Sequence, residues 1–182
     1  NITDGYSEYC SGIEYRNAND QLHGIFDALT QQYGDLCKRG KISIEVPCNE
    51  ELAPALIQYN KLLNNHWKNN SAINENWIIF DFKKASVQLT AYTIRGCYCR
   101  NYNCRPKSWI ISGSNDKQKW IKLSHITNCN SLNEPYGIIT FDTNKSQKRY
   151  RYIKYTQLEN HETNLKYIIH LSAFEFFGNW SE

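Results

Sequence analysis

The stretch Pro106–Leu123, PKSWIISGSNDKQKWIKL, holds a whole β-hairpin and decides the fold class. Ser108, Ile110 and Ser112 alternate with Trp109, Ile111 and Gly113, so a strand here sets one row of side chains against a core and the other toward solvent. Asn115-Asp116-Lys117 is the turn. Trp120, Ile121 and Leu123 then open the returning strand with residue types that suit a pleated, half-buried surface. Nothing in this pattern performs chemistry, so the hairpin speaks for architecture.

The same period recurs on either side of it. KISIEV (Lys41–Val46) alternates and is ended by Pro47, and NWIIFDF (Asn76–Phe82) is apolar enough for a central strand covered on both faces. Further strands are expected over Val87–Arg95, Tyr136–Phe141, Tyr150–Thr156 and Lys166–Phe177. Short strands separated by turn signals predict a sandwich or barrel. One segment differs: Leu22, Ile25, Phe26, Leu29 and Tyr33 share a helical face, with Asn19 or Asp20 to cap the start and Gly34 to end it. The expected organisation is a polar arm or linker over 1–19, an amphipathic helix over 20–34, and a β domain over 41–179.

Four blocks in order carry a family resemblance. WIISGSND followed by KWIKL, NWIIFDF, Tyr150-Arg151-Tyr152-Ile153-Lys154 and Ser172–Gly178 (SAFEFFG) together resemble the discoidin, or coagulation-factor type C, domain. The likeness runs from about Ile42 to Gly178 and is nearest to intracellular protist members, often found behind a BTB-type domain. It implies an all-β fold, an eight-stranded jelly-roll β-sandwich of the galactose-binding-like kind, here with an added N-terminal helix. It also implies recognition by loops at one barrel end, where different members bind galactose-type sugars, phospholipid head groups or proteins.

Composition narrows the classes. With 182 residues, 41% hydrophobic and 21% charged, the chain can bury a full core in one domain. It contains no Met, which suggests a piece of a longer protein. No run reaches the roughly 20 apolar residues of a membrane span, and no signal-peptide pattern opens the chain. A net charge of +3 makes no case for nucleic acid. Lys145, Lys148, Arg149, Arg151 and Lys154 do interleave with Tyr150, Tyr152 and Tyr155, but a strand with one wet face explains that pattern without a ligand. Seven cysteines cannot all pair internally and are read as reduced thiols of a cytosolic protein. Sequons at Asn1, Asn69, Asn144 and Asn179 keep a secreted alternative in view.

Candidate sites are few. Cys97-x-Cys99-x4-Cys104 offers three thiolates to zinc, with Cys129 or His125 as a fourth ligand, but it lacks the two-residue Cys spacing of closed zinc sites. Thiols in a protruding loop are the reading taken, with no metal site assigned. His23, His66, His125, His161 and His170 belong to no nucleophile signature, and Asp81 and Glu175 lie inside strand motifs where structural hydrogen bonding suits them best. No enzyme is expected. Some members of the fold hold a structural Ca²⁺, but no clustered carboxylate set supports one here, and no cofactor is expected.

What remains is binding through Asn64-Asn65-His66-Trp67, Tyr98–Arg105 and Asn160-His161-Glu162. The side chains singled out are Asn64, Asn65, His66, Trp67, Tyr98, Arg100, Tyr102, Arg105 and His161. A sugar wants an aromatic face with amide or guanidinium donors, which Trp67, Asn65 and Arg100 or Arg105 would supply. The loops are too polar for membrane insertion. The expectation is a non-catalytic cytoplasmic module docking onto a protein partner or a large assembly, with a carbohydrate-binding lectin as the alternative.

Overall fold

The computed structural model describes residues 18–58, 66–69, 74–98, 104–144, 148–162 and 168–182. The alternating segments become strands: β1 (Ser43–Glu45), β2 (Trp67–Lys68), β3 (Trp77–Asp81), β4 (Ser86–Gly96), β5 (Pro106–Ser114), β6 (Ile121–Ile126), β7 (Ile138–Asp142), β8 (Tyr152–Asn160) and β9 (His170–Ser181). They form two antiparallel sheets, ordered β1-β3-β8-β5-β6 and β2-β9-β4-β7. The all-β sandwich is as expected, and the strand beyond the eight is the two-residue β2, in a segment read as loop.

The inner faces interdigitate through aromatics. Phe80 meets Phe174 and Phe176 with ring centroids 5.0 Å apart in both pairs, and Trp109 meets Phe141 edge-on at 5.5 Å. Such edge-to-face contacts add to the burial itself. The polar tips of Trp109 and Tyr92 are satisfied: the Trp109 indole donates to the Tyr92 hydroxyl at 3.0 Å, which shares a hydrogen bond with Ser124 at 2.8 Å. Burial pushes the Tyr92 phenol up to about 12. It therefore stays neutral at any physiological pH.

The hairpin that announced the fold differs in one respect. Its second row of side chains is not solvated: Ser108, Ser112 and Ser114 are buried along with Trp109 and Ile111. Strand β5 lies inside its sheet between β8 and β6, so long neighbours cover its outer face, among them Lys154 with its ammonium 4.0 Å over the Trp120 ring. In the turn, the Asp116 carboxylate accepts the Gln118 and Lys119 amides at 2.8 Å each, and Lys117 takes φ 59°.

The N-terminal segment forms α1 (Ile25–Tyr33), preceded by a 3-10 turn at Ala18–Asp20. Neither Asn19 nor Asp20 caps the helix. The cap comes from β9: the buried Glu175 carboxylate accepts the amides of Gly24 at 2.9 Å, Phe26 at 2.9 Å and Asp27 at 3.0 Å, and of Phe176 at 2.8 Å. A carboxylate at a helix N-terminus satisfies otherwise orphaned donors and opposes the helix dipole. The approach is so close that a Cβ on Gly24 would lie 2.3 Å from the Phe176 carbonyl oxygen, which explains a glycine there. Ile25, Phe26 and Leu29 are wholly buried, so the apolar helix face packs on its own domain.

Asp81 is the other carboxylate set aside as structural. It accepts both arms of the Arg151 guanidinium, at 2.8 and 3.0 Å, and the Lys83 amide at 2.7 Å. Burial raises its pKa, but the Arg151 and Lys83 interactions outweigh that and leave it lowered. A carboxyl whose folded pKa lies below its unfolded value stabilises fully above about pH 4 and loses that contribution as pH falls through the folded value. Asp81→Asn should therefore cost about 1 kcal/mol at neutral pH, a figure kept small because the Arg151 side chain is 42% exposed. Urea midpoints of the two proteins should converge as pH drops from 7 toward 3, and a constant gap would refute the pair's role.

Candidate functional site

Antiparallel order puts the expected recognition loops at one end of the sandwich. That end gathers the exits of β2, β4 and β8 and the starts of β5, β7 and β9. Backbone bonds tie the pieces together: His161 donates to Arg105 at 3.1 Å, Tyr136 to the Cys97 carbonyl at 3.2 Å, and Asn69 to Ile169 at 3.2 Å. The Asn69 side chain extends the clamp, accepting the Ile169 amide at 2.9 Å and donating to Glu75 at 2.9 Å.

The singled-out residues divide sharply within this end. Tyr98 is 45% exposed, and its ring lies 5.1 Å from that of Tyr136 at an angle of 30°. Arg95 places its guanidinium 6.0 Å from the Tyr136 ring. His161 shares a 2.9 Å hydrogen bond with the Cys129 carbonyl, which fixes its ring at the rim. His66 is exposed and lies against His170, ring centroids 4.5 Å apart. Asn64, Asn65, Arg100 and Tyr102 lie outside the described residues.

Two expectations need correcting. Trp67 is not a loop aromatic presenting a face to a ligand: it lies in β2, has no exposed surface, and donates its indole N–H to the Cys48 carbonyl at 3.0 Å. Pairing of Trp67 with Leu171 in β9 turns the side chain inward. Arg105 is likewise buried, 5% exposed, so it is not a rim guanidinium. Tyr136 is the residue the sequence reading missed. It follows the polar connection at 128–135, where its pattern speaks only for the start of a strand, whereas it sits ahead of β7 with φ 54°.

Among the described residues, much of the basic run that leads into β8 is engaged within the domain. Tyr150, Tyr152 and Tyr155 are buried, Arg149 donates to the Asn179 carbonyl and the Ser181 hydroxyl, Arg151 holds Asp81, and Lys154 covers Trp120. A cleft of about 490 Å³ does exist at the opposite end, lined by Arg39, Lys41, Lys83, Lys84, Arg151 and Trp180. Lys41 there pairs with Glu182 at 2.6 Å. Among the described residues no helix is long and apolar enough to cross a membrane.

Comparison with known proteins agrees with this architecture. Over 120 residues the chain is 30% identical to the E3 ubiquitin-protein ligase Ufd4 of Drosophila melanogaster, a match covering 64% of this chain and 4% of that protein. Among solved structures, CpGH89CBM32-6 of Clostridium perfringens matches with TM-score 0.53 and 20% identity, covering 80% of this chain and 99% of that one. CpGH89CBM32-5 of the same organism, in complex with GalNAc-β-1,3-galactose, matches with TM-score 0.55 and 15% identity over 77% and 97% of the two chains. The CBM32 of AlyQ in complex with 4,5-unsaturated mannuronic acid matches with TM-score 0.53 and 15% identity over 74% and 93%. At such identities the likeness establishes the fold. The family model for the F5/8 type C domain matches residues 49–169, and with the sandwich, the Glu175 motif and the loop end already in place, the chain belongs to the F5/8 type C, or discoidin, domain family.

Proposed function

We propose that this chain is a non-catalytic docking module that works inside the cell and binds a protein partner or large assembly through the loop end of its sandwich. The observation that carries the reading is the division of that end. Tyr98, half exposed and backed by Tyr136, offers an aromatic anchor of the kind that dominates protein interfaces. Of the residues on which a sugar cradle was expected, Trp67 and Arg105 are buried, and Asn65 and Arg100 lie outside the described residues. Similarity to a stretch of a ubiquitin-protein ligase points the same way, since such an enzyme acts on proteins.

One feature supports a compartment without N-glycosylation. The sequon at Asn69 falls on a side chain that is 2% exposed and makes two hydrogen bonds, so a glycan there would break the clamp between the β2 and β9 segments.

Carbohydrate binding is the second reading, because the Tyr98 ring could equally carry a sugar and two of the similar CBM32 structures hold one. A photo-crosslinking side chain at position 98, used in extract of the source cells with and without GalNAc-β-1,3-galactose, separates the two. Docking predicts one reproducible protein adduct that the sugar leaves untouched. Affinity for that protein should fall about 30-fold in Tyr98→Ala, the scale of an aromatic hot spot. Release by the disaccharide, with direct binding of it to the purified domain, would establish the lectin instead.

A further inference from the structure

We propose that Cys97, Cys104 and His170 bind a zinc ion, with His66 as the fourth ligand. The three ligands come from three separate segments that the fold brings together. Gly96 pairs with Leu171 across β4 and β9, so the next residue, Cys97, falls opposite His170. Cys104 enters at the start of β5, with its Sγ 3.6 Å from His170 Nδ1. The Sγ atoms and the imidazole nitrogen all lie within 4.8 Å of one another.

The distances suit this metal. With Zn–S near 2.3 Å and Zn–N near 2.05 Å, a tetrahedral ion holds its sulfur and nitrogen ligands about 3.6 Å apart and two sulfurs about 3.8 Å apart. One pair already meets that spacing, and the rest close by shifts of about 1 Å or less, within reach of cysteine rotamers. His66 stands on the solvent side with its ring centroid 4.5 Å from that of His170, close to the roughly 5 Å expected for two imidazoles on one tetrahedral ion.

Donor chemistry and burial select the ion further. Two thiolates and two imidazoles suit zinc and disfavour calcium or magnesium, which take oxygen ligands. Cys97, Cys104 and His170 are 1%, 6% and 8% exposed, with Ile168 completing a small apolar pocket around the sulfurs. Bound there, zinc would fasten β2, the exit of β4 and the starts of β5 and β9, which are the struts of the loop end. The inference stands apart from the choice between protein and sugar as ligand.

The test starts from the whole chain, stripped with chelator, kept in a phosphine reductant, and titrated with Co²⁺ alone and then Zn²⁺ alone. One equivalent of Co²⁺ should produce thiolate-to-metal charge transfer and the strong visible bands of tetrahedral cobalt, and Zn²⁺ should bleach both. At about 100 times its Kd, zinc should raise the thermal midpoint by about 5–10 °C. The double variant Cys97→Ser, Cys104→Ser should lose the charge transfer. His66→Ala, an exposed change that leaves the core alone, should weaken zinc by about 10- to 100-fold and alter the cobalt bands, while Cys129→Ser should bind as the parent does. Absence of charge transfer in the parent protein would overturn the proposal, whatever the variants do, and leave the thiols as packing around Ile168. Charge transfer that persists in the cysteine pair variant, or is unchanged in His66→Ala, would likewise defeat the site as assigned.

Discussion

Glu175→Ala should destabilise the protein by about 4 kcal/mol or more, seen as a fall of about 8–16 °C in thermal midpoint and a matching loss in urea midpoint. Three amides at the start of α1 and one in β9 converge on two carboxylate oxygens with no exposed surface. Without the carboxylate those buried N–H groups lose their acceptors, at about 1–3 kcal/mol each, less whatever water can repair. Glu175→Gln is the sharper variant. It preserves shape but swaps one acceptor for an NH₂ that faces donors, so it should still cost about 2–3 kcal/mol. If glutamine proved within about 0.5 kcal/mol of the parent, Glu175 would be a packing residue and the capping account would fail.

Trp67→Ala should cost about 3–5 kcal/mol, the scale for removing a buried indole, and should do so before any ligand is added. The ring is wholly buried in the main core and its N–H is used on the Cys48 carbonyl. A binding assay on this variant would report unfolding as lost recognition. Its denaturation curve should be measured first: a parent-like urea midpoint would mean that Trp67 is a surface residue after all. Trp67→Phe, which keeps most of the volume, should lose less, and any fall in partner binding should track its loss of stability. Tyr98→Ala should show the reverse pattern, losing binding at nearly unchanged stability, because its ring is half exposed.

What could be read from the chain was local. A period of two is written into consecutive residues, so KISIEV, NWIIFDF and the hairpin disclosed themselves, and the order of four short blocks fixed the family. The helix face was legible for the same reason, at period 3.6. Its cap was not, because Glu175 is 151 positions from Gly24 in sequence and nothing near either residue announces the other. Trp67 was misjudged because NNHWKNN is polar on both sides. Its burial is decided by pairing with Leu171, a partner about a hundred residues away. The proposed zinc ligands hid in a similar manner: Cys97 and Cys104 lacked a familiar spacing because the third ligand arrives from β9, while Cys129, offered with His125 as an alternative fourth ligand, is packed in the main core with its carbonyl bonded to His161. Grouping the loops at one end followed from the fold, whereas the exposure of each side chain depended on tertiary contacts no pattern records.

The cap on α1 also orders events in time. A chain leaves the ribosome in sequence order, yet the acceptor for the helix's opening amides and the strand that pairs with β4 along ten positions both follow α1 by well over a hundred residues. The early helix, nine residues long, is too short to persist alone in water. Docking must therefore wait for β9, and a nascent chain stopped before Glu175 should carry Ile25, Phe26 and Leu29 uncovered, as a surface for chaperones.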